Sequence, residues 1–362
     1  MPYRQVVINI KGMDTQTSTR ILDVAVIPGD GIGREIVPVA QAVLKEAVGD
    51  SVSFNYTDYD LGADRYLRDG TLITDDQLKD MDQKDAILLG AVGDPRVKSG
   101  ILERGLLLKL RFAFDQAINM RPSKLYPGVK SPLANPGDID FVVIREGTEG
   151  LYSGMGGLLR MGTEHAIATE TSMNTEFGIE RAVRFAFELA RKRGGKKHVT
   201  MVNKTNVLYY AGQLWLWVMD KVGKEYPDVT YDYLHADACT IFLVTDPSRF
   251  DVIVTDNLFG DIITDEAGAV VGGIGYSASA NINVTDEHPS MFEPIHGSAP
   301  DIAGKGIANP SATVLSAAML LQHFGYDEAA ARIDRAVEVD AEENSSRKRS
   351  TDQIGQDIIA RL

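Results

Sequence analysis

Three arginines and three aspartates carry the chemistry that residue type and spacing make available. Arg111 and Arg121 stand ten residues apart around the apolar stretch 106–120, and Arg145 closes a short apolar strand. A buried cation without a partner is costly, so arginines in such settings call for an anion. Convergent guanidinium groups receive carboxylate or phosphate through paired, charge-assisted hydrogen bonds. Any one of the three, taken alone, is equally well explained as a structural ion pair. Asp261 and Asp265 are four residues apart, which puts both carboxylates on one face near the first turn of a helix predicted over 261–270. Like charges at that spacing repel unless a cation neutralises them, and an oxygen-only donor set suits Mg²⁺ or Mn²⁺. Carboxylates near a helix N-terminus also serve simply as dipole partners. Asp237, just past a strand predicted over 229–234, is the candidate third ligand.

Two side chains could move protons. Tyr152 follows the run REGTEG at 145–150, and Lys204 ends a strand predicted over 198–203. Nearby cations or burial could shift either into service as a general acid or base; singly, each reads as a core tyrosine and a surface lysine. The run EPIHGSAPD at 293–301, followed by Gly304, Gly306 and Asn309-Pro310, is dense in turn formers. Such a loop is built for close approach to something, and it holds Glu293 and His296 near one another. The glycine turn 29–33 (GDGIG) follows a strand but places Arg34 where a dinucleotide fingerprint needs glycine. A sharp strand-to-helix turn explains its glycines without a ligand.

These residues need a scaffold, and the pattern supplies one. Strands predicted over 21–28, 52–59 and 85–92 alternate with helices over 35–48 and 75–84, which indicates a mainly parallel sheet covered by helices. The proline-bearing stretch 126–140 reads as a connection into a second unit. Beyond it come short buried strands over 141–145 and 167–172, a long amphipathic helix over 176–193, and a helix over 208–223. A buried strand over 252–255 follows, then helices over 311–324 and 327–338. At 362 residues the chain suits two domains. A net charge of −14 argues against nucleic-acid or anionic-membrane partners, which need a basic face. A single cysteine, Cys239, excludes an intramolecular disulfide framework, and no apolar run approaches membrane-spanning length. The expected location is the cytoplasm.

In this order, the motifs resemble those of the β-decarboxylating dehydrogenases, the family acting on isopropylmalate, isocitrate, homoisocitrate and tartrate. The likeness runs from about Ile21 through IPGDGIG at 27–33, DAILLGAVG at 85–93, LKLRFAFDQAINMRP at 108–122 and REGTEGLYSG at 145–154. It continues through NKTNVL at 203–208, DNLFGDIITD at 256–265 and FEPIHGSAPDIAGKGIANP at 292–310. The resemblance implies an α/β, isopropylmalate dehydrogenase-like two-domain fold rather than a standard Rossmann fold. A cofactor domain would comprise 21–116 and 272–362, and a second domain with the dimer interface 117–271; residues 1–20 would form an extension.

It also implies roles. Arg111, Arg121 and Arg145 match the carboxylate-binding arginines, Tyr152 the acid that protonates the enolate carbon, and Lys204 the group that removes the hydroxyl proton. Asp237, Asp261 and Asp265 match the Mg²⁺/Mn²⁺ ligands, with Lys204 and Asp237 supplied by the other subunit of a homodimer and Asp237 also close to substrate. The cofactor would lie along Glu293, His296, Gly297, Ser298, Ala299, Pro300, Asp301, Ile302 and Asn309. Asp301-Ile302 stands where NADP-dependent relatives resemble Lys-Tyr, so NAD is expected. The spacing of the segment 104–110 differs by about one residue from that in the shorter isopropylmalate form. Its Leu106, Leu107 and Leu108 offer an apolar wall, with Leu107 and Leu108 the candidate contacts for an isopropyl group. The expected reaction is NAD-dependent oxidative decarboxylation of 3-isopropylmalate to 2-oxoisocaproate in leucine biosynthesis. D-malate or tartrate is the alternative substrate, and a non-catalytic regulatory subunit the more distant one.

Overall fold

The computed structural model describes residues 20–362, so the expected extension lies outside the described residues except for Arg20. Two compact units are formed. Among the described residues, the first comprises 20–116, Leu125–Pro132 and Val271–Leu362; the second comprises Ala117–Lys124 and Leu133–Val270.

The first unit opens with β1 (Arg20–Gly29), α1 (Gly33–Val48), β2 (Val52–Asp58), α2 (Ala63–Asp69), α3 (Asp75–Met81) and β3 (Ala86–Ala91). Every residue of β3 is buried, as a near-continuous apolar run in a covered parallel sheet should be. Helix α3 begins with a capping box between Thr74 and Gln77, worth about 1 kcal/mol. A π turn at Glu103–Leu107 then leads into α4 (Leu108–Ala113), with Leu108 N donating to Glu103 O five residues back. A π turn holds an extra residue within a helix, so the spacing before Arg111 departs from the regular helical repeat.

The chain crosses into the second unit with β4 (Ile118–Lys124), then β5 (Asp140–Glu146), β6 (Gly156–Leu159), β7 (Ile167–Glu170), α5 (Glu176–Arg193) and β8 (His198–Asn203). It continues with α6 (Tyr209–Gly223), β9 (Thr230–His235), α7 (Ala236–Thr245), β10 (Val252–Thr255) and α8 (Asn257–Val270). It returns to the first unit for β11 (Ala278–Ile282), β12 (Ser290–Pro294), α9 (Ser311–His323), α10 (Asp327–Asn344) and α11 (Thr351–Ile359).

The strand order in the first unit is β2-β1-β3-β12-β11, parallel except for β11 against β12. In the second it is β4-β5-β10-β8-β9, parallel except for β4 against β5. Each unit is therefore a mainly parallel α/β sheet with one antiparallel strand. Helices cover the sheets; α9 is buried from Ser311 to Leu321, apolar on every side. No described helix is long and apolar enough to cross a membrane.

Two expectations need correction. The strand expected to be buried at 167–172 is β7, and all of it is exposed, paired only with β6 in an antiparallel ribbon. Its apolar residues mark a surface, and no described residue covers them. Helix α8 starts at Asn257 instead of 261, because Asp256 Oδ1 accepts the amide of Phe259 at 2.9 Å and caps it. Asp261 and Asp265 therefore lie in the helix interior, where the first-turn dipole explanation for them does not apply.

Candidate active site

The second unit gathers a largely buried charged network around α8. Arg145, at the end of β5 and only 1% exposed, donates from Nε to Asn257 Oδ1 (2.9 Å) and from Nη1 to Asp261 Oδ1 (2.5 Å). Its side chain lies against Gly260, where a Cβ would come within 2.5 Å of Arg145 Cγ; any side chain there would push the guanidinium off the helix. Tyr152 donates its hydroxyl to Asp261 Oδ2 (2.7 Å), and the Arg145 guanidinium carbon sits 4.9 Å from its ring centroid. Arg121, on β4, donates to Thr264 Oγ1 (2.6 Å) and lies 3.8 Å from Asp265 Oδ1.

Electrostatics follows from that geometry. Burial alone would raise the Asp261 carboxyl, but the Arg145 charge, the Tyr152 hydroxyl and Arg121 outweigh it and hold Asp261 below the usual carboxylate range. Burial, and then the hydrogen bond to Asp261, push the Tyr152 hydroxyl above the ordinary tyrosine value. Tyr152 thus keeps its proton at neutral pH, as an acid must. Asp256, deep beneath the network, is pushed up to about 6 by burial.

Lys204 and Asp237 form their own pair in the second unit. Lys204 Nζ lies 2.7 Å from Asp237 Oδ1, and this hydrogen bond holds the Asp237 carboxyl below the usual range. Asp237, on α7, is exposed. Among the described residues, no three His, Cys, Asp or Glu are grouped closely enough to hold a metal ion. Within one chain, then, Asp237 is not brought together with Asp261 and Asp265. The donor chemistry nevertheless fits Mg²⁺ or Mn²⁺: Asp261 and Asp265 offer hard oxygens from one helix face, and the Asp265 side chain is 74% exposed.

In the first unit, Arg111 on α4 is buried and donates from Nη2 to Glu293 Oε1 (3.1 Å), an oxygen that also accepts Asn281 Nδ2 (2.7 Å). The Arg111 Nε atom is buried without a partner, so the guanidinium keeps donor capacity for an anion. Leu106 is fully buried in the core with Leu110, which removes it from the expected apolar wall. Leu107 is only partly buried against that core, and Leu108 is half-buried; three and four residues before Arg111, both share its helix face.

The 293–309 segment is irregular and close-packed. His296 is buried, and its Nδ1 faces Gly297 O at 3.0 Å. A carbonyl only accepts, so Nδ1 carries the proton and Nε2 is an acceptor, buried without a partner. Burial lowers the His296 pKa, which keeps the ring neutral. An unmet buried acceptor beside Ser298, Ala299 (φ +42°) and exposed Gly297, Pro300 and Asp301 fits a polar ligand such as a nucleotide. Ile302 packs on Ile32, Ile36 and Ala308, and partly buried Asn309 accepts the Ser311 amide at 3.0 Å.

Several contributors were missed from sequence. Asn257, Gly260 and Thr264 serve the α8 network, and Asn281 fixes Glu293. Asn257 and Thr264 were findable: with Asp261 and Asp265 they form a polar stripe at helical spacing in a largely apolar segment. Asn281 had no such signal, because its partner lies across a strand pair.

Comparison with known proteins agrees with this architecture. Residues 23–359 match the profile of the isocitrate/isopropylmalate dehydrogenase family. A 3-isopropylmalate dehydrogenase from Bifidobacterium longum is 66% identical over 339 residues, covering 94% of this chain and 98% of that protein. One from Corynebacterium glutamicum is 60% identical over 343 residues, covering 94% and 99%. Among solved structures, isocitrate dehydrogenase from Methylococcus capsulatus superposes with a TM-score of 0.85 at 36% identity, covering 94% of this chain and 99% of that one. With the whole described fold and all seven motifs accounted for, the chain belongs to the isocitrate/isopropylmalate dehydrogenase family.

Proposed function

We propose that this chain oxidises 3-isopropylmalate at its hydroxyl carbon and removes CO₂, giving 2-oxoisocaproate with NAD⁺ as hydride acceptor, a step of leucine biosynthesis. The observation that carries this reading is 66% identity across 98% of a relative bearing that activity's name. Nothing favours the malate or tartrate alternative to a comparable degree.

The residues divide the work. Arg111, Arg121 and Arg145 receive the two carboxylates, and partly exposed Leu107 and Leu108 beside Arg111 receive the isopropyl group. Lys204 takes the hydroxyl proton during oxidation. After CO₂ leaves, Tyr152, held protonated, returns a proton to carbon. Asp261 and Asp265, with Asp237 from a second subunit, hold a divalent cation, and His296, Ser298, Asp301 and Asn309 belong to the NAD site. When bound, NAD⁺ accepts the hydride and Mg²⁺ or Mn²⁺ polarises the oxygen that loses its proton.

A homodimer suits this assignment. The second unit leaves Leu158, Leu159 and Ile167 of the β6–β7 ribbon, Ile241 and Val244 of α7, and Ile262 of α8 exposed, an apolar set that a second copy would cover. We place the enzyme in the cytoplasm.

The test is product stoichiometry. Purified protein with 3-isopropylmalate, NAD⁺ and Mn²⁺ should yield NADH, CO₂ and 2-oxoisocaproate in equal amounts. NADH without CO₂, or no NADH at all, would reject the reading.

A further inference from the structure

The glycine turn at 29–33, which fails the dinucleotide fingerprint, already has three of its amides engaged. Asp30 N donates to Ala91 O (2.7 Å), Ile32 N to Ser298 O (2.9 Å) and Gly33 N to Asp30 O (3.0 Å). A phosphate would find these donors taken. The glycines instead permit close backbone approach. A Cβ on Gly31 (φ +53°) would lie 2.1 Å from Ser298 O. Asp30, buried, braces the turn by accepting Ala63 N at Oδ1 (2.8 Å) and Gly93 N at Oδ2 (3.0 Å). One helical turn on, Glu35 Oε1 accepts Gly304 N (2.5 Å), and Ile302 packs on Ile32 and Ile36. Ser298, Ile302 and Gly304 are therefore each tied to one short run of residues.

We propose that the segment 30–36 is a template that sets the shape of the 298–304 loop, with Gly31 and Glu35 as positioning residues for the cofactor. Its geometry stands on these contacts alone; its consequence for NAD rests on the function proposed above. Fixing the loop in the free protein lowers the ordering cost when the ligand arrives.

The test is a pair of variants read two ways. Hydrogen exchange of the cofactor-free protein follows the amides of 297–305, and steady-state kinetics separates KM for NAD⁺ from KM for 3-isopropylmalate. Glu35→Ala removes the Gly304 acceptor, and exchange over 297–305 should rise about three- to tenfold, the worth of one hydrogen bond. KM for NAD⁺ should rise by a similar factor, with KM for 3-isopropylmalate within about twofold. Glu35→Gln keeps an acceptor and should restore both readouts to near the parent values. Unchanged exchange in Glu35→Ala overturns the template, as does a parallel rise in both KM values, which marks general loosening. Faster exchange with unchanged KM for NAD⁺ upholds the template and overturns the assignment of cofactor to this loop. Gly31→Ala should act in the same direction more strongly; if it does not fold, the Glu35 pair decides.

Discussion

The two units hold their candidate functional groups by different means. In the second, side chains hold side chains: Arg145, Asp261, Tyr152, Asn257, Arg121 and Thr264 position one another through charge and hydrogen bonds. In the first, the loop carrying His296 and Ser298 is held largely by contacts with the glycine turn and Glu35, and Arg111 and Glu293 form a buried ion pair in the same unit. The contrast matches the tasks proposed for them. Proton transfer and dianion binding need oriented charge, which the second unit supplies in a desolvated setting. A dinucleotide needs shape and a few unmet polar atoms, which the loop of the first unit supplies.

The largest expected effects break the charged side of this contrast. Lys204→Ala and Tyr152→Phe should each lower kcat by about a hundred- to ten-thousandfold, the usual worth of a general acid or base. Their KM values should change little, and steady-state kinetics checks both. If the two residues act from different subunits, co-expressed Lys204→Ala and Tyr152→Phe chains should form hybrids in which one of two sites is intact. Activity in the purified hybrid, against near-silence of each parent variant, would establish the shared site; a silent hybrid would refute it.

Glu293→Gln probes the buried charge of the first unit. It leaves Arg111 without its anion, and KM for 3-isopropylmalate should shift by about tenfold while KM for NAD⁺ shifts less. Equal effects on both would place Glu293 on the cofactor side, as its motif first implied. Asp301→Lys with Ile302→Tyr should move preference towards NADP by about tenfold through a new phosphate contact. An unchanged NAD/NADP ratio of kcat/KM would count against Asp301 as a determinant.

The smallest effect concerns stability and pH. Burial raises the pKa of Asp256 to about 6, against 3.8 for an ordinary aspartate. A raised folded value means the stability it confers is complete below pH 3.8 and lost as pH rises through about 6. Asp256→Asn, which cannot ionise and still caps α8, should gain relative to the parent across that window, by roughly 1–3 kcal/mol. Denaturant melts at pH 4 and pH 7 measure this; a constant difference between the two proteins would show that Asp256 does not titrate there.

Much of the scaffold was legible because its periodicities are strong: β1, α1, β3 and α5 stand within a residue or two of where apolar spacing put them. The charged residues were legible by type, since arginine in an apolar stretch demands an explanation. What escaped depends on context. Asp256 reads as loop until its carboxylate is seen capping α8, and the apolar residues of β7 read as buried until the strand is seen exposed, with only β6 paired to it among the described residues. The partition of Leu106 from Leu107 and Leu108 depends on which face of this segment meets the core, which a run of three leucines does not reveal. The glycine turn was the subtlest case. Its residues nearly match a phosphate site, and only its contacts with Ala91, Ser298 and itself reveal that the amides of Asp30, Ile32 and Gly33 are spent.

Substrate selectivity is the most direct measure of the account. With NAD⁺ and Mn²⁺ fixed, kcat/KM should be compared for 3-isopropylmalate, D-malate, tartrate and isocitrate. Burying an isopropyl group against Leu107 and Leu108 is worth about 1.5–3 kcal/mol, so 3-isopropylmalate should exceed D-malate by roughly ten- to a hundredfold. An equal or higher kcat/KM for D-malate or tartrate would contradict it.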